Sequence, residues 1–286
     1  MTVAAQDAKP MPAWRRRPLL ALGLGILAAV VFAALAAPWL APHDPEAQSS
    51  LVMPQPPSAE HPLGTDSLGR DLLSRLLYGA RHSLAIGVCA TAIALGIGLA
   101  VGLPAGYRGG AIDALLMRAV DLVMAFPSIL LAAAMAAVLP TRNLATVLLV
   151  IGLVNWTAAA RVIRSEVLSL RQRDFVVAAR AAGARDARII VRHLLPNALP
   201  AVLIGVPLQV GRAIVLEAGL SFLGLGDRAV ASWGSLLQSA QSYLRDAWWL
   251  AVFPGAALTL VVLALYWIAE GLHRLYTPGW GPPPAP

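Results

Sequence analysis

Apolar residues in this chain come in runs, and the runs are long. Six stretches free or nearly free of Asp, Glu, Lys and Arg recur along it: Pro18–Pro42, Leu84–Tyr107, Leu122–Thr141, Asn143–Ala160, Leu194–Gly219 and Ala247–Ala269. Each is about as long as the roughly 20 residues that cross a bilayer's hydrocarbon as a helix. Backbone polar groups cannot go unpaired in lipid, and the runs are far too long for barrel strands, so all six are expected to be α-helices. The predicted fold class is an all-α membrane protein with six transmembrane helices and a long polar loop between the fourth and fifth. The pattern divides the chain into an N-terminal tail (1–17), a first transmembrane helix (18–42), an external segment with an amphipathic helix (43–82), a core with five transmembrane helices and the loop 161–197 (83–272), and a C-terminal tail (273–286).

Punctuation between the runs refines this. Pro42, Pro45, Pro54, Pro56, Pro57 and Pro62 make residues 41–62 an extended surface segment without regular helix. Thr65 or Asp66 can then cap a helix whose leucines 68, 72, 73, 76 and 77 recur at helical spacing, and which is expected to lie along the membrane surface. Ala94, Gly98, Gly102 and Gly106 leave a flat face on the second span where another helix can approach, within the chain or across a subunit interface. Phe126-Pro127-Ser128 predicts a kink near the start of the third span. Pro140-Thr141-Arg142-Asn143 is short enough to make the third and fourth spans antiparallel neighbours.

Composition agrees with a membrane class: 58% of residues are hydrophobic and 13% charged. Arg15–Arg17 followed by an apolar run resembles the start of a secretory signal, but the run is too long and Pro38-Trp39-Leu40 is a poor cleavage site, so the first span is expected to stay. The single cysteine, Cys89, excludes an internal disulfide and gives no basis for a thiolate metal site. The only lysine is Lys9, so no Gly-Lys-Ser/Thr phosphate loop exists here and no ATP-hydrolysing site is expected. No zinc, nucleophile-turn or dinucleotide motif is present, which leaves no cofactor, metal or catalytic residue to assign.

Charge is concentrated. Residues 161–200 carry eight arginines against Glu166, Asp174 and Asp186, a net +5 out of +7 for the chain. The positive-inside rule puts this loop, Arg15–Arg17 and both termini in the cytoplasm, a distribution that holds Lys9 and fourteen arginines inside against six outside. The charge is thereby assigned to a membrane surface, with no nucleic-acid partner expected. Within the loop, Phe175, Val176, Ala179, Ala182 and Gly183 fall on one side of a helix while Arg173, Arg180 and Arg188 project elsewhere. Two readings stay open at this point: an interfacial helix resting on anionic lipid headgroups, or a docking rod with a small-residue surface.

Val177-Ala178-Ala179, followed by Gly183 and then Leu195-Pro196, closely resembles the cytoplasmic coupling loop of bacterial ABC-importer permeases. His61-Pro62-Leu63-Gly64-Thr65-Asp66, Leu68-Gly69-Arg70-Asp71, Ser74-Arg75 and Tyr78-Gly79-Ala80-Arg81 look like the opening of the core domain in the dipeptide, oligopeptide and nickel permeases of that group. Ala218-Gly219-Leu220-Ser221-Phe222-Leu223-Gly224-Leu225-Gly226 resembles the same subfamily, and the resemblance covers about residues 61 to 270. It implies a non-enzymatic inner-membrane subunit that pairs with a homologous permease. The assembly would include two cytoplasmic ATPases, which use the ATP, and an external substrate-binding protein. It also implies that Asp174, Phe175, Val177, Ala178, Ala179, Arg180, Gly183, Leu195 and Pro196 contact an ATPase. The family has glutamate where Val177 stands, so a salt bridge at 177 is excluded.

Charges inside the spans offer a different class. Arg212 and Glu217 in the fifth span either pair with each other or face a translocation pathway, and Asp121 is solvated, paired with Arg118 or part of a proton relay. A gradient-driven secondary transporter would use these three for ion coupling, but no inverted repeat is visible. Trp233-Gly234 and Trp248-Trp249 fit an outer loop and an interfacial aromatic belt, and Glu270 with Arg274 closes the last span.

Overall fold

The computed structural model describes residues 18–48, 53–227 and 229–276. The expectations for the 1–17 tail and for residues 277–286 lie outside these. Among the described residues the protein is almost entirely helical, with one isolated bridge between Thr65 and Asp71. Among the described residues five helical segments are long and apolar enough to cross a membrane, or six if one bent pair is counted as a single span.

The chain enters through α1 (Pro18–Leu35), extended by α2 (Ala37–Leu40), and after the proline-rich connector forms α3 (Leu72–Arg108), a single helix of 37 residues. The amphipathic stretch is therefore not a separate surface helix. It is the first part of the second span, because no proline or capping signal interrupts the helix before Pro104. The cap is Asp71, whose carboxylate accepts from Ser74 N at 2.7 Å. Asp66, expected as a cap, instead accepts from the backbone N–H groups of Leu68 and Arg70 and from Arg70 Nε in the preceding turn.

The third span breaks outright. Helices α4 (Gly110–Met124) and α5 (Ser128–Val138) meet at 86° around Pro127, a much sharper feature than a kink. α5 has 11 residues, roughly 17 Å, and crosses a bilayer only in combination with α4. Asn143 caps α6 (Leu144–Leu170). Then come α7 (Asp174–Ala181), α8 (Asp186–Ile189), a π-type turn at Ile190–Leu194 and α9 (Leu195–Phe222). Helical structure thus resumes at Asp186, ahead of the expected re-entry at Leu195-Pro196. Pro196, without an N–H, falls beside the π turn, where the regular ladder is already interrupted. α10 (Trp233–Ala240) and α11 (Trp249–Tyr276) complete the bundle.

The small-residue stripe on α3 is an intrachain contact. A Cβ built at Gly102 would sit 2.7 Å from Ala160 O and 2.9 Å from Ile163, and one at Gly98 would sit 2.6 Å from Ala159 Cβ, so α3 and α6 touch at backbone distance. Two of the expected belt tryptophans are internal. Trp233 is buried and donates from its indole to Leu76 O at 3.1 Å, Trp249 donates to Thr65 O at 3.3 Å, and Trp248 alone of the three is exposed. A buried indole N–H needs a partner, and the α3 and connector carbonyls supply it.

Candidate functional site: the basic end and the cavity beside the break

Residues 161–170 of the expected loop are the last turns of α6, because the helical pattern runs on past the apolar stretch, and the part that folds onto the helix ends at one end of the bundle begins at Arg171. α7 has eight residues, roughly 12 Å of rod. It stops in a Schellman arrangement: Ala184 N bonds Ala179 O at 3.1 Å, Gly183 N bonds Arg180 O at 3.0 Å, and Gly183 takes φ +75°. The rod's inner side is Val176, fully buried with Tyr107, Ile163, Val167, Ile189, Leu194 and Val202, and Ala179 packs against this cluster. Asp174, Phe175, Val177, Ala178, Arg180, Ala181, Ala182 and Gly183 are exposed. The expected common face therefore divides: Val176 and Ala179 turn inward, while Phe175, Ala182 and Gly183 turn out. Leu195 is half-buried against the cluster and Pro196 is exposed.

Polar ties fasten the rest. Tyr107 Oη donates to Asp186 at 2.8 Å, and the Arg180 guanidinium lies 5.4 Å from the Tyr107 ring centroid. Arg171 donates to the carbonyls of Gly106 at 3.1 Å and Tyr107 at 3.4 Å, serving the open C-terminus of α3. Arg164 grips Asp113 of α4 in a two-pronged pair at 2.5 and 2.6 Å. Asp121 pairs with Arg161 at 2.7 Å, not with Arg118, and both partners are about half exposed. Four of the eight loop arginines thus contact named groups of the protein. The sequence held no signal for Tyr107, Asp113 or Asp186 as partners, since each lies at a helix end whose neighbours only the packing decides.

Arg212 and Glu217 do not pair. Five residues on one helix place them roughly 140° apart around its axis. Glu217 is 1% exposed and accepts from Ser221 Oγ at 2.7 Å, on the side of α9 that meets α10. Arg212 is exposed in a cavity of about 790 Å³ bounded by the α4–α5 break, α6, α9 and α11.

At the opposite end, Asp71 braces the connector. His61 Nδ1 lies 3.0 Å from Asp71 Oδ1, His43 N donates to Ser74 Oγ at 3.2 Å, and Arg70 and Arg75 bridge Asp66 and Glu46. His43, Glu60 and His61 each offer a metal-ligand atom, all within 4.8 Å of one another. That is looser than the roughly 3.4 Å edge of a tetrahedral site with 2.1 Å bonds.

Known proteins share both sequence and fold. Residues 94–281 match the family described as binding-protein-dependent transport system inner membrane component, and residues 13–57 match the N-terminal TM domain of oligopeptide transport permease C. A putative peptide transport system permease protein of Brucella suis is 43% identical over 92% of this chain and 88% of its own length. The dipeptide transport system permease protein DppC of Alkalihalophilus pseudofirmus is 40% identical over 92% and 87%. The di/tripeptide transport system permease protein DppC of Pseudomonas aeruginosa is 40% identical over 90% and 86%. An inward-facing structure of the MetNI methionine ABC transporter superposes with a TM-score of 0.52 at 23% identity, covering 70% of this chain and 94% of that one, a likeness of fold. The chain belongs to the binding-protein-dependent transport system inner membrane component family, as a multi-pass permease subunit of an ABC importer.

Proposed function

We propose that this permease passes peptides or a closely related small solute across the bacterial inner membrane, and that α7 is the seat of a separate ATPase. The observation that carries the reading is the mounting of α7. A short rod with an exposed small-residue surface, Ala178, Ala181, Ala182 and Gly183, stands on a closed apolar cluster shared by α3, α6 and α9. Displacement of the rod moves Val176 against Ile189 and Leu194, and so reaches α9. The Arg164–Asp113 pair carries the same displacement from α6 to α4 and the break at Pro127. Packed interiors transmit strain of this kind because they have little free volume.

Val177, where the family has a glutamate, is 55% exposed at the rod's surface. Its contact is by packing, with Asp174 and Arg180 supplying polar groups beside it. The family likeness supports a heterodimer with a second permease, two ATPase subunits and an external binding protein, with both termini in the cytoplasm. Peptides are favoured as cargo because the relatives above carry peptide or dipeptide in their names. ATP would be used by the partners, and this chain would bind no cofactor itself. A gradient-driven mechanism has less support, because Glu217 is sealed against α10 and Asp121 is engaged by Arg161, so neither forms a relay with Arg212.

The test is uptake into proteoliposomes holding the complete transporter. Peptide accumulation is expected to require ATP and to survive an ionophore that collapses ion gradients. Accumulation abolished by the ionophore at constant ATP would overturn the proposal.

A further inference from the structure

We propose that Arg212 holds the carboxylate of the cargo inside the membrane. This rests on the reading of the chain as a peptide permease and adds a site to it. Arg212 lies a little past the midpoint of α9, deep in a span, where a charge must meet a counter-charge or water. No carboxylate of the described residues forms an ion pair with it, and the nearest acidic neighbour along the helix, Glu217, faces the other way and is occupied by Ser221.

The space in front of Arg212 is suited to a small amphipathic solute. Its volume, about 790 Å³, falls within the range that encloses small ligands. Ser128, Asn155, Thr157 and Tyr266 are the other polar residues of its lining, beside an apolar wall that includes Phe126 and Val215. A peptide brings a terminal carboxylate whatever its side chains, so a single guanidinium can serve many sequences, while the apolar wall tolerates varied side chains. The charge-assisted contact would orient the cargo, carboxylate toward α9.

Release is built into the same geometry. One wall of the cavity is the α4–α5 break, and α4 is tied through Asp113 to Arg164 at the basic end. Movement of the coupling rod would then reshape the cavity around the bound carboxylate, which lets a site hold cargo on entry and release it on exit.

The experiment uses the whole transporter in proteoliposomes with a labelled free-carboxylate dipeptide, comparing wild type, R212Q and R212K. A photo-crosslinking residue at Phe126 reports cargo in the cavity, and co-purification reports assembly. R212Q is expected to lower uptake by about tenfold or more, the loss of one charge-assisted contact, and to lose the cargo adduct at 126. R212K is expected to restore most of both, with all subunits co-purifying in each variant. Unchanged uptake and adduct in R212Q would overturn the assignment. So would loss of the partner permease from the R212Q complex, which would place the counter-carboxylate on that subunit. Absence of ATP-driven peptide uptake in wild type would refute the functional reading itself, a result distinct from both.

Discussion

In the proposed docking at α7, Tyr107 and Gly183 are the single residues that hold the rod's mounting and its turn. The Tyr107 hydroxyl is the direct hydrogen bond from the end of α3 to α8, at 2.8 Å from Asp186. Tyr107→Phe keeps the buried ring and removes that bond, so stability should fall by about 1 kcal/mol. Transport per ATP hydrolysed should drop while membrane insertion is unchanged, measured by parallel uptake and phosphate release. Gly183 has open space where a Cβ would go but a φ of +75°, so a substitution there is opposed by backbone strain and not by a clash. Gly183→Leu should cost about 1–3 kcal/mol locally. It should leave ATP hydrolysis running with uptake reduced; equal uptake in wild type and variant would show that the turn does not govern docking.

Among the elements, α3 and α6 form the spine, and their contact depends on the absence of side chains. Gly102→Leu should destabilise the folded protein by several kcal/mol, because the new atoms would meet Ala160 O and Ile163 inside 3 Å. Gly96 on the same helix has nothing within 4 Å, so Gly96→Ala should be neutral or stabilising by up to about 1 kcal/mol. Thermal unfolding in detergent would separate the two. The glycine spacing on α3 could be read from the chain because it repeats along one face, and the six apolar runs because length alone selects them. The partner of that face could not, nor could the continuity of α3: the signal for a cap at Asp66 was real, but that carboxylate is consumed by a turn. Proline at 127 marked a bend whose angle depends on what α4 packs against. The site divided in the same way. The small residues of α7 and the glycine after it follow from local sequence, whereas Val176 turning inward, Arg164 meeting Asp113 and Arg212 parting from Glu217 follow from packing and helix phase.

Taken whole, the molecule has two charged ends with different tasks. The end with His61, Arg70, Arg75 and Asp71 locks the connector to α3 with buried or half-buried pairs. The end with α7 keeps its small-residue surface free, while Arg164, Arg171 and Tyr107 tie its supports and Arg180 of the rod itself lies over the Tyr107 ring. Between them lies the cavity beside the break, bounded by helices from both halves of the chain. On the proposed docking of an ATPase at α7, Arg161, Arg164, Arg171 and Arg180 would join the rod and its supports to the helix ends, a role beyond the membrane-side placement expected from their charge.

Whether an ATPase sits on α7, as proposed, is decided by cross-linking. Cys89→Ser removes the native thiol, and a cysteine at exposed Ala178 is then treated with a short bifunctional reagent in membranes holding the whole transporter. An adduct with the ATPase subunit is expected, with a yield that changes when ATP is bound. No ATPase adduct, together with labelling of the same cysteine by an impermeant reagent from the external side, would show that α7 is not the docking site.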